Sequence, residues 1–238
     1  MDYTTVSLTI SRTNINLVYD LHKFTNLQTL TCRFTNITYL DLSSLFNLQT
    51  LDCSENQLKQ LILPLHSNLH TVNCCGNKLK KLNLSHLSNL QVLDCSFNRL
   101  AELDLSHLSN LQEIECSENE LEELNLSYSP NLQELACIKN RLRELNFSAP
   151  NLQRLYCACN QLKNLHLATP KLQVLHCYDN KLKQLDLSQL LELQRIDCSD
   201  NKLRRLQIAD KQLESLIYDN NPITVNKQSV HDFYISKQ

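Results

Sequence analysis

Apolar and polar positions alternate along this chain in one fixed order, L-x-x-L-x-C-x-x-N-x-L-x-x-L-x-L-S, followed by a short connection and Asn-Leu-Gln. The unit is about 21 residues long and recurs ten times between residue 24 and the neighbourhood of residue 223. Its second apolar position is held by Leu30, Leu51, Val72, Leu93, Ile114, Leu135, Leu155, Leu175, Ile196 and Leu216, with gaps of only 20 or 21. A degenerate earlier copy surrounds Leu8 and Ile10. Repeats of this length mark a solenoid, whose coils bury one another's apolar faces because none can do so alone. Within a copy, the strand period of two sends Leu51 and Cys53 to one side and Asp52 to the other. Stacked copies therefore predict a parallel sheet along the concave side, rising about 4.8 Å per strand and spanning about 50 Å over some eleven coils.

Three features refine the coil. Asn56, Asn77, Asn98, Asn119, Asn140, Asn160, Asn180, Asn201 and Asn221 form a column. An inward amide has two donors and an acceptor, enough to bridge neighbouring turns whose backbone groups need partners. Thr13 and Thr35 stand at this position in the first two copies. On the convex side the Leu-x-Leu-Ser stretch, as in Leu103-Asp104-Leu105-Ser106, is too short for a helix of two turns. Extended segments and turns are expected there. With a single glycine, Gly76, the turns fall to Asn, Ser and Pro, including Pro130, Pro150 and Pro170.

The stretch Leu51-Asp52-Cys53-Ser54-Glu55-Asn56-Gln57-Leu58 and its copies in register resemble the leucine-rich repeat family over roughly residues 5–223. The resemblance implies a curved right-handed horseshoe of the α/β type, here mostly β, with the parallel sheet on the concave face. The short period and the Leu-Asp-Leu-Ser tail look like bacterial members. Some of those are effectors delivered into host cells, and some carry a separate ubiquitin-ligase domain, for which this chain leaves no room. Residues 1–223 are expected to form the solenoid, with the first coil degenerate and no helical cap before it. Residues 224–238 leave the pattern and are expected to form a C-terminal cap or tail, with Val230, Phe233 and Tyr234 at helical spacing.

Composition narrows the classes further. The formal charge of −2 gives no bulk attraction to nucleic acid or membrane. The sequence has neither a charged-then-apolar leader nor a run of apolar residues long enough for a membrane span. Nine of the eleven cysteines share one column: Cys32, Cys53, Cys74, Cys95, Cys116, Cys137, Cys157, Cys177 and Cys198. Each replaces an inward leucine, and buried free cysteine behaves as a small hydrophobe. Their spacing is unlike paired metal ligands, so no metal or other cofactor is expected. So many free thiols suit a reducing, cytoplasmic compartment, or the host cytosol for an exported effector. Cys75 and Cys159 fall outside the column and should face the open side.

A solenoid offers surface rather than a reaction centre. No phosphate loop, HExxH or GxSxG is present, and an open sheet around Tyr156, His176 and Asp179 does not exclude water, so the chain is not expected to be an enzyme. The expected partner is another protein, bound on the concave face by a monomer. Two alternatives remain: the recognition domain of a larger enzyme, or phosphate binding by lipid or nucleic acid on a flank. Ile138, Arg154, Tyr156, His176, Tyr178, Asp179, Arg195 and Asp197 should gather in adjacent columns, and Tyr and Arg are the residues that anchor interfaces. Asp94, Glu113, Glu115, Glu118 and Glu134 should form an acidic patch beside them. Charge is split along the axis: residues 100–138 hold nine acids and no Lys or Arg, whereas 139–211 hold thirteen bases and seven acids. Such a division steers a complementary partner. Lys78, Lys80, Lys81, Arg141, Arg143, Lys163, Lys181, Lys183, Lys202, Arg204 and Arg205 run as a stripe just beyond the Asn column, interrupted by Glu120, Glu122 and Glu123. No aromatic column accompanies the stripe, which argues against nucleic acid.

Overall fold

A computed structural model of the chain describes residues 3–65, 68–209 and 213–223, apart from the side chains of Asn146 and Ser148. The tail expected over 224–238 lies outside the described residues. One parallel sheet of eleven short strands runs through the molecule in sequence order. Its strands are Ser7–Thr9, Thr29–Thr31, Thr50–Asp52, Thr71–Asn73, Val92–Asp94, Glu113–Glu115, Glu134–Ala136, Arg154–Tyr156, Val174–His176, Arg195–Asp197 and Ser215–Ile217. We number the coils one to eleven by these strands. Every strand turns its middle residue inward, and the leucines there, from Leu30 to Leu175, are fully buried. The column cysteines continue the core one step further, at 0% exposure from Cys32 to Cys198, and all eleven cysteines are free thiols.

The opposite side carries three separate two-stranded parallel pairs, Tyr39–Asp41 with Gln60–Ile62, Glu144–Ser148 with Asn164–Ala168, and Gln184–Leu187 with Arg205–Ile208. The Leu-x-Leu-Ser motif explains itself in the turns that follow. The carboxylate or amide oxygen of the middle residue accepts the serine N–H two residues on: Asp41 from Ser43 at 2.9 Å, Asp104 from Ser106 at 2.9 Å, Asn125 from Ser127 at 3.0 Å. Coil one departs from the expectation of extended segments and turns. A 3-10 helix covers Ile15–Lys23 and buries Leu17 and Leu21. Asn14 stands at its N-cap, but the Asn14 side chain turns back to the Ser11 N–H and the Thr9 carbonyl and makes no cap hydrogen bond to the helix.

The asparagine column joins the coils. The Asn140 amide donates to the Cys137 carbonyl of its own coil at 3.2 Å and to the Cys116 carbonyl of the coil before at 3.0 Å. Its oxygen accepts the Leu121 N–H at 3.0 Å. The same three contacts recur at Asn77, Asn98, Asn119, Asn160, Asn180 and Asn201. Thr35 stands in as expected, donating its hydroxyl to the Cys32 carbonyl and to the Asn56 oxygen. Thr13 does not. Its hydroxyl only meets that of Ser11, and Asn14 instead holds the turn by donating to the Thr9 carbonyl at 3.1 Å. A second row, at the Asn of Asn-Leu-Gln, ties the other end of each coil: Asn47 to the Thr25 carbonyl, Asn110 to Ser88, Asn131 to Ser109 and Asn151 to Pro130.

The turn between the cysteine and asparagine columns is made by many residue types. Phe34, Glu55, Gly76, Phe97, Glu118, Lys139, Cys159, Asp179, Asp200 and Asn220 all adopt left-handed backbone, with φ from 51° to 64°. A residue with a Cβ pays roughly 1–2 kcal/mol for this conformation. The coil accepts it because the bend aims backbone groups at the neighbour, as when Glu55 N–H reaches the Cys75 carbonyl at 2.8 Å and Asn56 N–H the Gly76 carbonyl at 3.1 Å. At Gly76 a Cβ would lie 2.8 Å from the Glu55 carboxylate, the free end of an exposed side chain.

Replacing Asn140 by leucine strands the Cys116 and Cys137 carbonyls and the Leu121 N–H, and is expected to cost on the order of 1–3 kcal/mol. The loss should spread to adjoining coils, and a chemical denaturation midpoint equal to that of the parent protein would contradict it. The thiol column predicts alkaline sensitivity. Burial pushes the Cys32, Cys157 and Cys198 thiols up to about 12. In the unfolded chain they ionise near the ordinary value of about 8.5. Stability from these groups is therefore complete below about pH 8.5 and is lost as the pH rises towards the folded values. Denaturation midpoints measured at about pH 7 and about pH 10 should fall between the two, and fall less in a variant carrying alanine at Cys95 and Cys116.

Candidate functional site

Two outward columns flank the buried leucines of the long sheet, and strand register decides which residues meet. Over coils two to four they read Thr29, Thr50, Thr71 and Thr31, Asp52, Asn73, a hydroxyl-rich and largely neutral stretch. Over coils five to seven they become acidic. Asp94 lies opposite Glu115, and Glu113 opposite Glu134. Over coils eight to ten Arg154, Val174 and Arg195 form one column and Tyr156, His176 and Asp197 the other. The expected cluster is thus assembled on adjacent strands. Ile138 and Tyr178 stand one step beyond, after the cysteines, and Asp179 occupies the left-handed turn.

The aromatic centre of this face is packed ring against ring. The Tyr156 and His176 rings pack edge to face, 5.2 Å between centroids at 90°. Both are half-buried, as are Tyr178 and Ile138. Burial, reinforced by the charges around it, pushes the Tyr178 phenol up, so it stays an O–H donor at neutral pH. The charged members already have partners inside the chain. Arg154 donates to Glu134 at 2.6 Å, and Arg195 donates to Glu214 at 3.0 Å. The Asp197 carboxylate accepts the Ser199 hydroxyl at 2.6 Å and its N–H at 3.1 Å. The two Arg–Glu pairs join opposite charges one repeat apart.

The acidic patch is partly neutralised in the same way. Glu118 is bridged by Lys139 and Glu134 by Arg154. Asp94 binds the Ser96 hydroxyl and N–H within its own turn. Glu115 keeps the strain of the patch: burial first, then the Asp94 and Glu134 charges, raises its carboxyl, against the pull of its bonds to Ser117. Cys75 and Cys159 lie half-buried on this side. Burial pushes both thiols up, so neither is activated as a nucleophile.

Two further aromatics are more exposed than the cluster. Phe34 and Phe97 are 55% and 57% exposed, more open than the half-buried tyrosines of the cluster. Both occupy the left-handed turn, where the φ constraint sends the side chain outward, and Arg33 lies over the Phe34 ring at 5.2 Å. On the flank the basic stripe is laddered to the acids that interrupt it, Arg141 to Glu120 at 2.8 Å and Arg143 to Glu122 at 3.5 Å. Two shallow grooves, of about 600 and 610 Å³, open on the side away from the long sheet, between Gln60–Ile62 and Lys80–Lys81 and between Asn164–Ala168 and Gln184. No helix among the described residues is long and apolar enough to cross a membrane. No group of three or more His, Cys, Asp or Glu among them is placed to hold a metal ion.

Comparison with known proteins agrees with this architecture. The Leucine Rich Repeat family profile matches residues 47–69 and 89–111. Coils stacked in register by leucine, cysteine and asparagine columns give the chain the leucine-rich repeat fold. It is similar to two bacterial structures in particular. One is the functional domain of InlJ from Listeria monocytogenes, which includes a cysteine ladder, at 26% identity and a TM-score of 0.70 over 93% of this chain. The other is YopM, a leucine-rich effector protein from Yersinia pestis, at 27% identity and a TM-score of 0.77 over 89% of this chain. The chain spans less than two thirds of either, 64% and 60% respectively. An internalin C2 from Listeria monocytogenes shares the fold at 21% identity, with a TM-score of 0.64 over 75% of this chain and 84% of its own. No curated protein matches the chain.

Proposed function

We propose that this chain is a protein-binding module whose partner docks on the open face of the long sheet across coils seven to ten. The observation that carries this reading is the half-buried group Tyr156, His176 and Tyr178, fixed on a hydrogen-bonded sheet whose other outward strand positions carry no aromatic ring. Held rings offer large contact area at little entropic cost. Arg154 and Arg195 are held by Glu134 and Glu214, so they meet a partner as oriented ion pairs rather than as loose charges. Ile138 adds apolar contact, Asp179 and Asp197 set polar limits, and the acids of coils five to seven steer a basic surface of the partner towards the rings.

The molecule acts by binding, as a monomer, and not by catalysis. The likeness to an effector from Yersinia pestis supports an exported bacterial protein working inside a host cell. Eleven free cysteines support a reducing compartment such as the host cytosol.

The double substitution Tyr156→Ala with Tyr178→Ala should weaken capture of a host-lysate partner by about thirtyfold or more, on the scale of ~2 kcal/mol or more for an anchor residue. Circular dichroism and the denaturation midpoint should stay near those of the parent, because neither side chain enters the core. Lys181→Glu with Lys183→Glu should leave that capture nearly unchanged. The reverse pattern, loss in the lysine variant and retention in the tyrosine variant, would move the binding face to the flank.

A further inference from the structure

The flank beside the asparagine column carries a second surface, independent of the ring cluster. Two outward positions follow each column asparagine, one and three residues on, separated by a buried leucine. Coil to coil they form a lattice spaced about 4.8 Å along the axis and about 6.7 Å within a coil. Across coils six and seven this lattice pairs acid with base: Arg141 binds Glu120 at 2.8 Å and Arg143 binds Glu122 at 3.5 Å, while one position further on in coils four and five Lys81 faces Glu102 at 3.8 Å. From coil eight onward the acids stop and the bases continue. Lys163, Lys181, Lys183, Lys202 and Arg204 are all exposed. Among the described residues none of the five has an ion pair, and Lys181 reaches only the Gln161 side-chain oxygen, at 3.4 Å.

We propose that this flank of coils eight to ten docks an extended acidic segment of a partner protein. The chain supplies the template for the match. Where it provides carboxylates at these lattice positions itself, the arginines of the next coil turn onto them, and beyond coil eight the same geometry is left with one sign of charge. Side chains on one face of an extended segment repeat every second residue, at about 6.7 Å, and Lys181 and Lys183, like Lys202 and Arg204, are two residues apart with a buried leucine between them. Alternating Asp or Glu residues therefore meet the bases in register. Gathering five like charges without internal partners also raises the local potential, so association is fast and sensitive to salt.

A phosphate-bearing polymer or membrane is the weaker fit. Between residues 141 and 209 the one large hydrophobic side chain exposed among the described residues is Leu191. A single strand of nucleic acid has no ring to stack on there, and a bilayer has one leucine to receive.

The test uses the full chain and a short labelled peptide of alternating glutamate and serine, read by fluorescence anisotropy. The peptide should bind at low salt and weaken steadily as salt is raised. Lys183→Glu with Arg204→Glu should reduce affinity by at least about tenfold, whereas Tyr156→Ala with Tyr178→Ala should leave it unchanged. Both variants change exposed or half-exposed side chains, and circular dichroism verifies that they fold. Equal affinity of the parent and the charge-reversed protein for the peptide would overturn the proposal. So would tighter, flank-dependent binding of oligo(dT) or phosphatidylserine vesicles, which would assign the surface to phosphate instead. Loss of peptide binding in the tyrosine variant would also overturn it, by placing the acidic segment on the long sheet.

Discussion

A single side-chain amide, repeated once per coil, carries the continuity of this molecule. Each column asparagine from Asn56 to Asn201 touches the cysteine carbonyls of two successive coils and a backbone N–H of the earlier one, as Asn140 does with Cys116, Cys137 and Leu121. These groups sit where the chain turns out of the sheet and where water is excluded. Buried backbone groups need partners, and leucine packing offers none. The hydrophobic columns explain why the coils collapse together, and the asparagines explain why they collapse in one register.

Much of this was legible in the sequence because burial imposes strict periods. Inward Leu51, Leu93 and Leu135 cannot shift by one residue without facing solvent, so their spacing betrays the sheet. The left-handed turns were not legible. Phe97, Glu118 and Lys139 have no preference for positive φ, and only the carbonyls of the next coil impose it. The 3-10 helix over Ile15–Lys23 was hidden for a similar reason, since it is held by burial of Leu17 and Leu21 rather than by a cap.

The outward face divides along the same line. Alternation alone brings Arg154, Tyr156, His176, Arg195 and Asp197 onto neighbouring strands. The state of the charges there is a property of coil pairs. Arg154 and Glu134 lie twenty residues apart and 2.6 Å apart in space. In a solenoid the nearest neighbour is one period away, so an ion pair is visible only when the sequence is folded back on itself at that period. Among the described residues, seven of the eight ion pairs join adjacent coils, leaving Lys23–Asp20 within one.

The left-handed turns have a mechanical consequence. Their bent backbone is stabilised by the following coil, so a coil at an open end loses part of the reason for its own shape. Pulled from its ends, such a chain yields one turn at a time rather than failing as a block. Each coil of 21 residues releases about 70 Å of slack while shortening the stack by only about 5 Å. The molecule is geared: a stiff rod under sideways load, and a reel of thread under tension along the chain.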